Sequence, residues 1–336
     1  MENKKKMRDD YVPDRVSVII LSFNSEKYIN DAIQSVFMQD YPDIEVIVAD
    51  DGSAAFDKDK LEIYIRNHSG ENIKSVNVIH HDKNLGTVRN INYALCTATG
   101  EYIKILGGDD TYPAPDVFSR QVKDIKENRT FASIGMLQQC DPEMKPIYDK
   151  RFDESNKSQN LVLNMDYVTA LKYISKHDIF PIANQSVCYH RSFFIETGLC
   201  DEDFILIEDS ELGKRLLKYS HRVSRLEYFT VNHRAKVGIS SSKELFCPKR
   251  ILYYKDCVTS SKKSLEEMKN TSGCINRIER LRVNEFVYNM ALSKCDGKGT
   301  MKRIGICITY IDAIVYYSFT NTKKLIKRLK YRFSKN

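Results

Sequence analysis

Two alternating patterns of apolar positions run through the first third of the chain. Val16–Leu21 (VSVIIL) is a near-continuous apolar run, as expected of a strand buried on both faces. Asn24 and Ser25 then supply N-cap chemistry for a helix whose apolar positions Ile29, Ala32, Ile33, Val36 and Phe37 recur at helical spacing. Tyr41-Pro42 marks the break after it. Ile44–Ala49 (IEVIVA) predicts a second buried strand, and Leu61, Ile63, Tyr64 and Ile65 predict another helix. Val76–Ile79 reads as a short third strand, Asn90–Thr97 as a helix, and Tyr102–Leu106 (YIKIL) as a fourth strand. Strands alternating with helices predict an α/β fold built on a parallel sheet.

Beyond residue 110 the pattern is mixed. Asp116–Lys126 reads as a helix after the turn at Pro113 and Pro115. Residues 138–160 are polar and predict a long loop, and Glu211–Tyr219 predicts a short helix preceded by Glu208-Asp209. From about residue 245 the pattern is helical, with few Gly or Pro. The expected organisation is an extension (1–14), an α/β domain (15–245), a helical region (246–320) and a basic tail (321–336). Ile304–Phe319 is the most apolar stretch, yet it is shorter than the roughly 20 residues that span a bilayer, and Asp312 sits inside it. It predicts a core or interfacial helix.

Composition narrows the function classes. At 336 residues and 42% hydrophobic, the chain can build a real core, which excludes a disordered protein. The 52 Lys/Arg exceed the 45 Asp/Glu by seven, and the last sixteen residues alone hold seven Lys/Arg and no acid. The body is therefore charge-balanced, which argues against a nucleic-acid partner. The charged tail, with Leu325, Ile326 and Leu329 among its basic residues, suits peripheral contact with an anionic leaflet. Nine scattered cysteines without a CxxC pair predict reduced, cytoplasmic usage and no zinc site. The N-terminal apolar run is too short for a signal peptide.

The candidate chemistry lies at strand ends. Asp50-Asp51 follows the second strand and Asp109-Asp110 the fourth, where open α/β sheets bind ligands. DG and DD pairs also serve as plain turns. Two such pairs facing one crevice, however, would repel each other without a cation. Hard divalent ions prefer oxygen donors and complete their shells with substrate phosphates and water.

Three segments carry a specific resemblance. VSVIILSFNSEKYINDAIQSVFMQDYPDIEVIVADDGS, NLGTVRNINYALCTATGEYIKILGGDD and NQSVCYHRSFFIETGLCDEDFILIEDSELGKRLL resemble, in order, segments of the family 2 glycosyltransferases, over roughly residues 15–220. The resemblance implies a GT-A fold, a Rossmann-like, mostly parallel sheet flanked by helices. It also implies a nucleotide-diphosphate-sugar donor, a uridine one by family habit, and inversion at the anomeric carbon. It implies that Leu21 to Asn24 line the nucleobase pocket, with Phe23 packed on the base. Asp51 would accept a hydrogen bond from the base and Asp50 would support that turn. Arg89 would lie near the base or diphosphate, in a loop shaped by Asn84 and Gly86. Asp109, after Gly108, would touch ribose or metal, and Asp110 would be the main ligand of Mn²⁺ or Mg²⁺. His233 is a candidate for a further ligand or a phosphate contact. Asp209 would be the general base, with Glu208 beside it. The implied acceptor is a saccharide or lipid-linked glycan of a surface polysaccharide. The family's metal motif often reads D-x-D-D, whereas Gly107 stands at its first position here. Lys27 and Lys104 read as surface or stem-burying lysines.

Two alternatives remain open at this point. A nucleotidyltransferase would also bind a nucleoside diphosphate group and a metal, but the Gly-rich basic phosphate loop expected of it near the N-terminus is missing. A non-catalytic sugar-nucleotide binder or scaffold is the other, and Gly107 leaves room for it.

Overall fold

The computed structural model describes residues 6–177, 179, 181–235, 237, 248–267, 274–296, 300–316 and 318. The basic tail expected at 321–336 lies outside the described residues. The chain divides into two compact units, Met1–Ser241 and Ser242–Asn336.

The first unit opens with the predicted alternation: β1 (Val12–Ser22), α1 (Ile29–Phe37), β2 (Ile44–Asp50), α2 (Lys58–His68), β3 (Ile73–His80), α3 (Thr87–Thr97) and β4 (Gly100–Gly107). Then follow α4 (Val117–Asn128), β5 (Ala132–Cys140), α5 (Lys150–Leu163), α6 (Tyr167–His177), β6 (Val187–His190), α7 (Ser192–Thr197), α8 (Glu208–Lys218) and β7 (Val223–Arg234). The seven strands form one sheet in the order β3-β2-β1-β4-β6-β5-β7. β1 pairs in parallel with β2 and β4, β2 with β3, and β5 with β7, while β6 runs antiparallel to both β4 and β5.

The near-continuous apolar runs of β1 and β2 follow from burial on both faces. Ile19, Ile47, Ile103 and Ile105 point to one side and pack with Val88, Ile91 and Leu95 of α3 and Leu212 and Leu216 of α8. Val16, Val18, Ile20, Val46 and Val48 point to the other and pack with Ile29, Ile33 and Val36 of α1 and Phe118 and Val122 of α4. After β1 the chain builds β2 and β3 on one side, then returns to place β4 on the other. That reversal opens a crevice at the carboxyl ends of β1 and β4.

Three expectations need correction. The polar stretch 138–160 is not one long loop: β5 runs to Cys140 and α5 begins at Lys150. The buried positions of α5 include Ser158 and Gln159, so its inward face carries little apolar signal. Asn24 and Ser25 do not cap α1, because the helix starts at Ile29 with Tyr28 as its N-cap residue and no side-chain cap. The Ser25 carbonyl instead accepts the Tyr28 and Ile29 N–H groups in a preceding turn. Lys104 is fully buried, and its Nζ donates to Gln121 Oε1 at 2.6 Å.

The second unit holds α9 (Pro248–Glu267), α10 (Cys274–Cys295) and α11 (Thr300–Thr309). Asn284 ties α10 to α9 through Ser261 Oγ at 2.8 Å. Phe286 and Tyr310 pack ring against ring, with centroids 6.2 Å apart.

Candidate functional site

The crevice is built where three parallel strands end in register. Leu21 of β1 lies opposite Ala49 of β2 and Gly107 of β4, and Ser22 lies opposite Asp50. Gly108 donates its N–H back to the Leu21 carbonyl at 2.8 Å, and a Cβ there would sit 2.9 Å from that oxygen. A side chain at 108 would therefore push the two loops apart. Phe23 is half-buried and Asn24 is exposed beyond the end of β1. Asn24 takes a left-handed φ of 51°, a conformation Asn tolerates, and donates its N–H to Ser53 Oγ at 2.7 Å.

The first aspartate pair is structural in its contacts. Asp50 is fully buried and accepts from Ser22 Oγ (2.9 Å), Ser53 N–H (2.8 Å) and Ser53 Oγ (2.7 Å). His80 Nδ1 lies 2.9 Å from Oδ2, the oxygen that also accepts the Ser53 N–H. Asp51 accepts the backbone N–H of Leu85 at 2.7 Å and of Gly86 at 3.0 Å, one on each oxygen. It thus clasps the loop that leads into α3. Burial raises the Asp51 pKa, opposed by those two N–H groups. Arg89, on the first turn of α3, is exposed and pairs with Glu202 Oε2 at 3.3 Å.

The second pair meets the later acids. Asp110 is buried at the end of the β4 turn, and its Oδ1 accepts the Arg234 N–H at 3.0 Å and lies 3.1 Å from His233 Nδ1. Burial, then the neighbouring Asp110 charge, pushes Asp109 up to about 6. Asp209 sits in the first turn of α8, and its Oδ1 accepts the Asn184 N–H at 2.8 Å. Burial pushes Asp209 up to about 6 as well, against that N–H and His233, with Asp110 adding to the rise. Burial works to lower the His233 pKa, but the combined pull of Asp110, Asp109 and Asp209 raises it. The three acids and the imidazole therefore form one electrostatic cluster. Glu208, beside Asp209, is buried in the same helical turn.

Arg234 and Asn184 went unassigned in the sequence, although each belongs to a quoted or neighbouring motif. Arg234 is buried, donates to the Asp109 carbonyl (2.8 Å) and to Asp31 Oδ2 (2.8 Å), and lies over the Tyr28 ring at 4.4 Å. It also reaches the Pro142 carbonyl. It is the strut that fixes the Asp109-Asp110 turn. Its only sequence signal is its place beside His233. Asn184 holds Asp209 through its backbone, and its Oδ1 accepts the Tyr189 hydroxyl at 2.8 Å. Phe152 of α5 packs 5.8 Å from the His233 ring.

The donor set suits a hard cation that is only partly held by protein. A Cβ at Gly107 would lie 2.9 Å from Asp109 Oδ1 and 3.3 Å from Asp110 Oδ2, so both carboxylates face the space its missing side chain leaves. Among the described residues, no three His, Cys, Asp or Glu side chains are close enough to hold an ion alone. An ion there would complete its shell with phosphate oxygens and water.

Residues 17–194, more than half of the chain, match the profile of glycosyl transferase family 2. An uncharacterised glycosyltransferase of Haemophilus influenzae is 32% identical over 228 residues, covering 68% of this chain and 82% of that one. The chain belongs to glycosyl transferase family 2. A second Haemophilus influenzae glycosyltransferase is 25% identical over 213 residues, and the match spans 60% of its length and 63% of this chain. A putative teichuronic acid biosynthesis glycosyltransferase of Bacillus subtilis, TuaG, is 36% identical over 98 residues, covering 29% of this chain and 36% of that one. Among solved structures, S. aureus TarS 1-349 in complex with UDP-GlcNAc superposes with a TM-score of 0.53 at 16% identity, over 89% of this chain and 81% of that one. The mannosyltransferase PcManGT from Pyrobaculum calidifontis, in complex with GDP-Man and Mn²⁺, gives 0.55 at 16% identity, over 96% and 87%. The fold is thus GT-A.

Proposed function

We propose that this protein is an inverting glycosyltransferase. It moves a sugar from a nucleotide-diphosphate sugar, a UDP-sugar in our reading, to a hydroxyl of a saccharide or lipid-linked glycan acceptor in surface polysaccharide synthesis. The observation that carries the reading is the grouping of Asp109, Asp110, Asp209 and His233 at the carboxyl end of β4. Support for the donor comes from the UDP-GlcNAc and GDP-Man complexes of the structural relatives. TuaG, putatively a teichuronic acid enzyme, supports the acceptor class.

In this reading Leu21, Phe23, Asn24, Asp50 and Asp51 form the nucleoside side of the crevice, with Arg89 and Gly108 bordering the diphosphate. Asp109 and Asp110 would hold Mn²⁺ or Mg²⁺, with His233 beside them as a phosphate contact, and the ion when bound supplies positive charge to the departing diphosphate. Asp209 does the proton chemistry. The acceptor oxygen bonds to the anomeric carbon, the bond from that carbon to the diphosphate oxygen breaks, and the diphosphate leaves with the electron pair. The acceptor proton passes to Asp209. A pKa near 6 suits this role, since the group is ionised at neutral pH yet more basic than an exposed aspartate. The Asn184 N–H holds Oδ1 in place and leaves Oδ2 for the acceptor. Arg234 keeps the Asp109-Asp110 turn from moving as charge builds. We place the protein in the cytoplasm, with its basic tail in peripheral contact with the inner leaflet.

Asp209→Asn keeps the size and the hydrogen bond from Asn184 but cannot take the proton, so transfer falls by about 10²–10⁴-fold. Asp110→Ala abolishes transfer with the fold intact. Sugar-nucleotide turnover measured with Mn²⁺ across a panel of donors tests both. Normal turnover in either variant refutes the assignment.

A further inference from the structure

In the second unit, α11 leaves an exposed face that is largely apolar. Backbone bonds from Tyr310 N–H to Ile306 O (3.1 Å) and from Ile314 N–H to Tyr310 O (3.0 Å) carry the helix on into residues 311–316. Its inward side is accounted for within the second unit. Ala313 is buried and Tyr310 packs on Phe286, while the exposed Asp312, at the edge of the outward side, is gripped by Arg282 through two bonds of 3.0 Å. The outward side carries Met301, Ile304, Ile308, Ile311 and Val315, spaced three and four residues apart and exposed by 48 to 81%. A helix side facing water is ordinarily polar, and a continuous apolar stripe marks a surface that something covers. No helix among the described residues is long and apolar enough to cross a membrane.

Charge decides between the occupants. From residue 300 to the end the sequence holds nine Lys/Arg and one acid, Asp312, which Arg282 already neutralises. A second copy on this face would bring two strongly positive segments together. An anionic lipid surface would attract them. Apolar insertion and a polybasic segment are also the two signals that together give stable peripheral anchoring.

We propose that the outward face of α11 and residues 311–316 is a lipid-docking surface. It lies in the interface of an anionic bilayer with Met301, Ile304, Ile308, Ile311 and Val315 toward the acyl chains. This extends the tail contact proposed above by naming the side chains that insert.

The test is co-sedimentation of the full chain with vesicles of phosphatidylglycerol and phosphatidylcholine. Combining Ile304→Gln, Ile308→Gln and Ile311→Gln lowers vesicle affinity on the order of 100-fold at low and high salt, with unchanged circular dichroism. A second variant, with Gln for the seven Lys/Arg of 321–336, loses the preference for phosphatidylglycerol and the salt dependence. If only this tail variant fails to bind, the tail contact stands and helix insertion is overturned. If the wild type binds no vesicle, both are overturned. If the triple variant dissociates a dimer in sedimentation and still binds vesicles, the face belongs to a second copy and the proposal falls. Ile308→Trp provides a readout independent of affinity, because the chain has no tryptophan. Its emission moves to the blue on vesicles and is quenched by bromine-labelled lipid, whereas unchanged emission and no quenching overturn insertion.

Discussion

Gly86 sits between the clasp of Asp51 and the start of α3, with a φ of +90°. A Cβ there would lie 2.6 Å from Ile205 Cγ2 and 2.8 Å from the Ile205 carbonyl. Both the backbone conformation and the space exclude a side chain. Gly86→Ala therefore costs about 2 kcal/mol or more of stability, read as a lower urea midpoint with an unchanged slope. A variant as stable as the wild type would show that the loop relaxes freely. At this scale the sequence disclosed residue types better than their partners. Asp50 and Asp51 stand out as an acid pair before Gly-Ser. Nothing in that pattern says that both oxygens of Asp51 go to backbone N–H groups thirty-odd positions away. Arg234 shows the same limit, since the carbonyl and carboxylate it joins are distant in sequence.

Elements were legible where burial was two-sided or strictly periodic. β1, β2 and α1 announce themselves because nearly every position, or every third or fourth, is apolar. α5 does not, because two of its three buried positions are Ser158 and Gln159, and Gln159 bonds to the Gly135 and Pro181 carbonyls. A buried polar network leaves no hydrophobic period to read. Lys104 belongs to the same class. Its Nζ meets Gln121 of α4, whose Nε2 donates to the Ser133 and Ser186 carbonyls at 2.9 Å each. One network thus joins the strand carrying Asp109-Asp110 to the turn carrying Asn184, which holds Asp209. Burial pushes the Lys104 pKa down to about 8 from an ordinary 10.5. Below pH 8 both folded and unfolded chains carry the proton, and the native state bears the full burial penalty. Between 8 and 10.5 only the unfolded chain holds the proton, so this group's contribution to stability rises with pH, by about 1.4 kcal/mol per unit. Lys104→Met removes the titration. Its stability relative to the wild type falls by roughly 3 kcal/mol as pH goes from 8 to 10.5, measured by denaturant unfolding of both proteins at each pH. A constant difference across that range would mean that Lys104 titrates normally.

At the scale of the whole molecule, the proposed mechanism has the sheet separate two tasks. The parallel half, β3-β2-β1-β4, ends in the turns assigned to the donor, while Asp209 arrives from α8 and is fixed by the turn before β6. His233 and Arg234, at the end of β7, close the space between them, so the cluster exists only when both halves of the sheet are assembled. This division has a thermodynamic signature. A nucleoside diphosphate and Mn²⁺ that share one site each raise the affinity of the other by the same factor. UDP added with Mn²⁺ should therefore raise the melting temperature by more than the two separate shifts combined. A ligand at 100 times its Kd adds about 2.7 kcal/mol to native stability, an effect large enough to resolve. Asp110→Asn removes the excess, because the charged carboxylate that would hold the ion beside the diphosphate is gone. Asp209→Asn keeps the excess while losing transfer, because in the proposed mechanism its carboxylate serves the acceptor side. If Asp209→Asn also abolished the coupled shift, Asp209 would belong to the metal and donor set, and some other group would have to take the acceptor proton.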